Sequence, residues 1–263
     1  MKSSNLTRTS SLLILGTLAL LTIKTVSAEE VDAALDPTDM VAVSFWLATA
    51  MMLASTVFFV LERNNVDAKW KTSMTVAALV TGVAWYHYTY MREHWSVTTE
   101  SPLVLRYVDW LITVPLLIIE LLVVLGVSGE TRKRLMKSLL PATVLMIGLG
   151  YPGEISADSG TKWLFWVLAM IPFAFILWTL YGQLKAAATR ETPAVAAAIK
   201  NATYVLLITW LVYPIAYLFP VFDASSGTLE TLRQVGYTFA DITAKGLYGL
   251  MIVGIAKARS SAN

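Results

Sequence analysis

Arg106-Tyr107-Val108-Asp109-Trp110-Leu111-Ile112-Thr113-Val114-Pro115-Leu116-Leu117-Ile118-Ile119-Glu120 is the stretch whose reading decides the fold. It lies inside an apolar run from Pro102 to Gly126, and roughly 20 apolar residues suffice to cross a bilayer. It nevertheless carries an arginine and two carboxylates. A charge at membrane depth costs about 2.5–3.5 kcal/mol on the insertion scale, so such residues mark function by default. On a helix, Arg106, Asp109 and Thr113 fall at i, i+3 and i+7, on one stripe. Glu120 stands eleven residues beyond Asp109, close to three full turns, and returns to nearly the same stripe about 16 Å away. Two acids on one helix face, most of a membrane apart, suit a proton relay. The structural alternative is a set of snorkelling or capping charges. Arg106, one turn in from Pro102, can snorkel; Asp109 and Glu120 have short stems, and at least one must lie deep.

Outward from that stretch, the chain is 56% hydrophobic and 14% charged, with nine tryptophans. Its mean hydropathy is +0.62. This composition belongs to a polytopic all-α membrane protein rather than a soluble domain. With no cysteine there is no disulfide, no thiolate chemistry and no cysteine-based metal site. No metal and no nucleic-acid partner are expected. Seven apolar segments, about 40–61, 72–91, 102–126, 135–151, 161–184, 195–219 and 229–256, predict seven spans in a lipid bilayer. Segment four carries Gly148, Gly150 and Pro152 at its end, an expected helix stop.

Residues 1–28 read as a cleaved secretory signal: Lys2 and Arg8, an apolar core from Leu12 to Leu21, and Val26-Ser27-Ala28 as the cleavage site. An uncleaved anchor is the alternative. The domain would then be residues 29–263. With the amino terminus outside, the inner loops gather Arg63, Lys69, Lys71, Arg132, Lys133, Arg134, Lys137, Lys185, Arg190, Lys200, Lys257 and Arg259. The outer loops hold only Arg92, Lys162 and Arg233. The positive-inside rule therefore favours an outer amino terminus and a cytoplasmic carboxyl terminus.

Segment seven holds a second constellation, Asp241-Ile242-Thr243-Ala244-Lys245, with acid and amine at i and i+4 on one face. A neutralised ion pair is one reading. The other is chemical: a desolvated lysine is also the group that forms a Schiff base with an aldehyde. Lys245 is the only lysine deep within a span, and Asp241 and Asp109 are the anions available to its protonated imine.

These residues give the chain its likeness. The third-span run from Arg106 through Glu120, with Asp241 and Lys245 in the seventh span, resembles a microbial rhodopsin, and more narrowly the bacterial proteorhodopsins. Ser44-Phe45-Trp46-Leu47, Ala54-Ser55-Thr56-Val57-Phe58-Phe59, Tyr86-His87-Tyr88, Tyr90-Met91-Arg92 and Trp210-Leu211-Val212-Tyr213-Pro214 carry it along the chain. The resemblance implies a seven-helix bundle around all-trans retinal held on Lys245 as a protonated Schiff base. It implies Asp109 as counterion and proton acceptor, Asp241 as second counterion, and Thr113 as the group bridging the site. Arg106 would lie on the outward side and Glu120 would be the cytoplasmic proton donor. His87 would pair with Asp109. Trp110, Trp210, Tyr213 and Pro214 would wall the chromophore, and Leu117 stands where green-absorbing members carry leucine. It also implies a homo-oligomer, a pentamer or hexamer, with Trp46 at the subunit interface.

The implied function is a light-driven outward proton pump in the bacterial inner membrane, a transporter of protons and not an enzyme. The segments Glu93-His94-Trp95-Ser96 and Tyr151-Pro152-Gly153-Glu154 are expected as outer loops, with Glu154 a candidate for the exit path. Among rival readings, a light sensor signalling through a partner does not need the donor Glu120. A chloride pump would lack the acid at 109, and a sodium pump of the known type would carry Asn, Asp and Gln at 109, 113 and 120. A seven-span ligand receptor leaves the Asp241/Lys245 pair unexplained.

Overall fold

The seven apolar segments become seven helices in a computed structural model that describes residues 35–127 and 129–261. They are α1 (Met40–Glu62), α2 (Lys71–Thr98), α3 (Leu103–Val124), α4 (Gly129–Glu154), α5 (Ser159–Ala188) and α6 (Pro193–Tyr217). The seventh, α7, joins Gly227–Asp241, a π-helical turn Ile242–Leu247 and Tyr248–Ser261. Among the described residues there is no strand. The signal-sequence reading of residues 1–28 lies outside the described residues.

Each helix packs against its neighbours in sequence, and α7 returns to α1, closing a ring. Six of the seven are long and apolar enough to cross a membrane. The exception is α2, whose sequence mixes Thr72, Thr75, Tyr86, His87 and Arg92 among its apolar residues. Its buried polar residues Ser73, Thr81 and His87 face neighbouring helices. Thr81 is hydrogen-bonded by Thr56 of α1 at 2.9 Å. Part of the polar character of this helix is thus turned into the protein, where Thr81 finds a partner on α1.

The third helix obeys its pattern closely. Arg106, Asp109, Thr113, Leu117 and Glu120 are all buried, on the stripe that their spacing predicts. Lipid-facing positions such as Val104, Val108, Leu111 and Ile112 are exposed on the other side.

Helix ends depart from expectation. The fourth helix begins at Gly129 and runs through Gly148, Gly150 and Pro152 to Glu154, where a stop was expected. Two of its glycines serve close approach instead. A β-carbon at Gly150 would stand 3.0 Å from the Tyr107 hydroxyl, and one at Gly153 would overlap Tyr217 and Phe165. Likewise Glu93–Ser96, expected in a loop, forms the last turns of α2, which ends where Thr99 adopts left-handed backbone (φ 54°).

Three residues counted as loop charges are also helical and buried: Lys162, Arg233 and Arg259. Arg233 pairs with Glu154 at 3.3 Å and Glu230 at 2.6 Å. Arg259 donates to the Val124 carbonyl at 2.5 Å and pairs with Glu191. Carbonyls at a helix C-terminus lack intrahelical donors, so Arg259 caps α3.

Candidate functional site

Lys245 sits in the π turn of α7, a wide turn that recurs at functional sites because it re-aims a side chain within a helix. Its Nζ contacts Asp109 Oδ2 from α3 and lies 3.1 Å from Asp241 Oδ1 on its own helix. The i, i+4 pairing expected for Asp241 and Lys245 thus survives the change of helix type. All three groups are buried. One ammonium between two carboxylates leaves a net negative charge to be balanced.

Arg106 balances it. The residue is fully buried and does not snorkel. Its Nη1 donates to the Tyr88 hydroxyl at 3.1 Å and reaches Asp241 Oδ2 at 3.5 Å, and its Nη2 donates to Gln234 Oε1 at 3.0 Å. Its carboxylate partner is therefore Asp241 rather than Asp109. The rings of Phe45, Tyr88 and Tyr237 surround the guanidinium at 5.3–5.7 Å, within cation–π range.

The two carboxylates differ in how many donors they hold. Asp241 accepts from Tyr88 (2.8 Å), Tyr213 (2.7 Å) and the Trp110 indole (3.2 Å), besides its contacts with Arg106 and Lys245. Asp109 accepts through Oδ2 from Lys245 and from Thr113 at 3.3 Å. Its Oδ1 accepts no hydrogen bond and faces His87 Nδ1 at 3.4 Å. The same Nδ1 is 3.0 Å from the Val83 carbonyl, which only a protonated nitrogen can serve. His87 therefore points an N–H edge toward both oxygens.

Beside Lys245 opens an apolar cleft walled by α3, α4, α5, α6 and α7. Trp110, Trp210, Tyr213 and Pro214, the residues expected around a chromophore, line it, and so does Leu117. The Pro214 carbonyl accepts from the Trp166 indole at 2.9 Å, so α5 and α6 are pinned together at this wall. Lys245 is the only ionisable amine on the lining, which is otherwise apolar and aromatic. Such a cleft can hold an elongated apolar molecule and present its carbonyl end to an amine. Glu120 stands apart, buried in the far part of α3, its Oε1 without a partner.

Sequence reasoning missed several members. Tyr88, Gln234 and Tyr237 complete the polar cage, and Met146, Trp166 and Phe173 supply the opposite wall of the cleft. Polar aromatics on apolar helices read like interface or packing residues. Nothing local marks Met146 or Phe173 as facing a cleft.

Residues 39–258 match the family of bacteriorhodopsin-like proteins. The chain belongs to the bacteriorhodopsin-like family. This rhodopsin is therefore a multi-pass membrane protein. It is 41% identical over 228 residues to the green-light absorbing proteorhodopsin of Gamma-proteobacterium EBAC31A08, covering 86% of this chain and 90% of that one. It is 40% identical over the same length to the blue-light absorbing proteorhodopsin of Gamma-proteobacterium Hot 75m4. Among solved structures, xanthorhodopsin, described as a light-driven ion pump with dual chromophore, superposes with a TM-score of 0.81 at 41% identity. That match covers 87% of this rhodopsin and 97% of the other chain.

Proposed function

We propose that this rhodopsin is a light-driven outward proton pump that carries all-trans retinal as a Schiff base on Lys245. The observation that carries the reading is Lys245 Nζ held between Asp109 and Asp241 at the wall of an apolar cleft. The cleft fits a polyene aldehyde: aromatic walls for the chain, one amine for the carbonyl, and carboxylates for the resulting cation. Retinal supplies light absorption and a double-bond isomerisation when bound.

The protein's own groups supply the rest. Asp109 touches Nζ and accepts fewer hydrogen bonds than Asp241, so it is the better placed of the two carboxylates to take a proton. Asp241 has its oxygens engaged by Tyr88, Tyr213 and Trp110, and serves as the lasting anion. Thr113 lies 3.3 Å from Oδ2 of Asp109, the oxygen that contacts Nζ, and helps to position the carboxylate. Glu120 returns a proton to Nζ from about three turns along α3. Losing its opposite charge raises a group's hold on its proton, which makes the forward transfer to Asp109 one-way.

Outward direction rests on the excess of basic residues counted in one set of loops, which favours a cytoplasmic carboxyl terminus and an outer amino terminus. The gamma-proteobacterial relatives support a bacterial inner membrane. Green absorption rests on Leu117 in the cleft wall, since identity to the green and blue relatives is nearly equal. A homo-oligomer with Trp46 at its interface rests on the family resemblance alone; within the protomer Trp46 is partly buried on α1, with the Arg92 guanidinium 3.9 Å from its ring.

Flash photolysis of Glu120→Gln tests the scheme. Loss of the proton from Nζ should keep its normal rate. Its return should slow about 10²–10⁴-fold, the usual contribution of a positioned acid, and become dependent on bulk pH. A small permeant weak acid should restore it. Return at the wild-type rate, independent of pH, would remove Glu120 as donor.

A further inference from the structure

Away from the cleft, one lipid-facing surface combines charge with a groove. Lys133, Met136, Lys137, Leu140 and Pro141 line a shallow depression on the amino-terminal half of α4. Lys133 and Lys137 are one turn apart on the same face. The stripe continues through Val144, which is exposed, to Gly148, where even an added β-carbon would meet nothing within 4 Å. From Lys137 to Gly148 is eleven residues, about 16 Å of helix. That matches one leaflet, half of a hydrocarbon core about 30 Å thick.

The chemistry at the head of this groove is selective. Arg132, Lys133, Arg134 and Lys137 crowd into six residues, and Glu130 is the one acid beside them. The Lys133–Glu130 contact at 3.0 Å joins two exposed side chains and is too weak to occupy Lys133. Two cations at the head of an exposed apolar helix face of leaflet depth complement a phosphodiester and an acyl chain.

We propose that this groove is a binding site for an anionic glycerophospholipid. The phosphate lies on Lys133 and Lys137, and one acyl chain runs over Leu140, Pro141 and Val144 to Gly148. The site is independent of the pumping scheme and of which leaflet the amino end of α4 occupies.

Native mass spectrometry of the full chain, exchanged into phosphatidylglycerol or phosphatidylcholine, tests it. Wild type should retain phosphatidylglycerol and not phosphatidylcholine. The double variant Lys133→Gln/Lys137→Gln should bind phosphatidylglycerol about thirty-fold more weakly, with unchanged helix content by circular dichroism. Arg63→Gln/Lys71→Gln removes equal charge elsewhere and should not change retention. Equal retention of the two lipids, which needs no variant to observe, would mean apolar contact only and overturn the proposal. Undiminished phosphatidylglycerol binding by the double variant would overturn it too. Loss of subunit association without lipid retention would assign the groove to a second copy instead, against the proposal.

Discussion

Asp109 and Asp241 are the same residue type at the same amine, and their neighbours give them different work. Asp241 is saturated with donors, whereas Asp109 keeps one oxygen free of hydrogen bonds. Replacing Asp109 with Asn should shift the visible absorption to the red and stop pumping. The positive charge beside it loses its partner, which narrows the gap to the excited state. An unchanged spectrum would mean that Asp241 alone is the effective counterion. Leu117→Gln should shift absorption to the blue with pumping largely retained, because it sets a dipole in the cleft wall; an absent shift removes the basis for the green assignment. At this scale the sequence was legible where a charge stood in an apolar run. Asp109, Glu120, Asp241 and Lys245 announce themselves by cost. Tyr88 and Gln234 did not, because a tyrosine or a glutamine in a span carries no comparable penalty. Their role depends on Arg106, which reaches them only after three helices have packed.

Helix identity was legible from apolar periodicity, and helix ends were less so. The glycines near the end of α4 looked like a stop and proved to be contacts for Tyr107, Tyr217 and Phe165, partners supplied by other helices. The π turn at Lys245 had no sequence signal either, although the i, i+4 spacing still brought Asp241 to the amine. Caps outside the spans were clearer. The Asp158 carboxylate begins α5, accepting from the Thr161 N–H at 2.7 Å and its hydroxyl at 2.8 Å. Those hydrogen bonds hold its pKa below the usual aspartate value. A depressed pKa contributes stability above the unfolded value that is lost as pH falls through the folded one. Asp158→Ala should therefore lower the melting temperature at neutral pH, and the difference from wild type should vanish in acid. A difference that persists in acid would point to a helix-propensity effect instead.

The closed ring of seven helices is what lets charges sit at membrane depth. Three buried ion pairs join different helices: Arg106 with Asp241, Arg233 with Glu154, Lys245 with Asp109. The second of these pairs holds Glu154 at the end of α4, where it also accepts from Tyr107 (2.6 Å) and Tyr237 (2.8 Å), and not on the outer loop expected for it. Fold class was legible from composition alone, since 56% apolar residues in seven runs admit few alternatives. The cleft was not, because its opposite wall comes from α4 and α5, which carry no marked residue. The central claim concerns direction, and one measurement reaches it. Cells expressing the protein with added retinal are illuminated while the pH of the weakly buffered medium is followed. The account predicts acidification that begins with the light, disappears with a protonophore, and is absent from Lys245→Ala. Alkalinisation that persists or increases with the protonophore, or no pH change from a coloured protein, would contradict it.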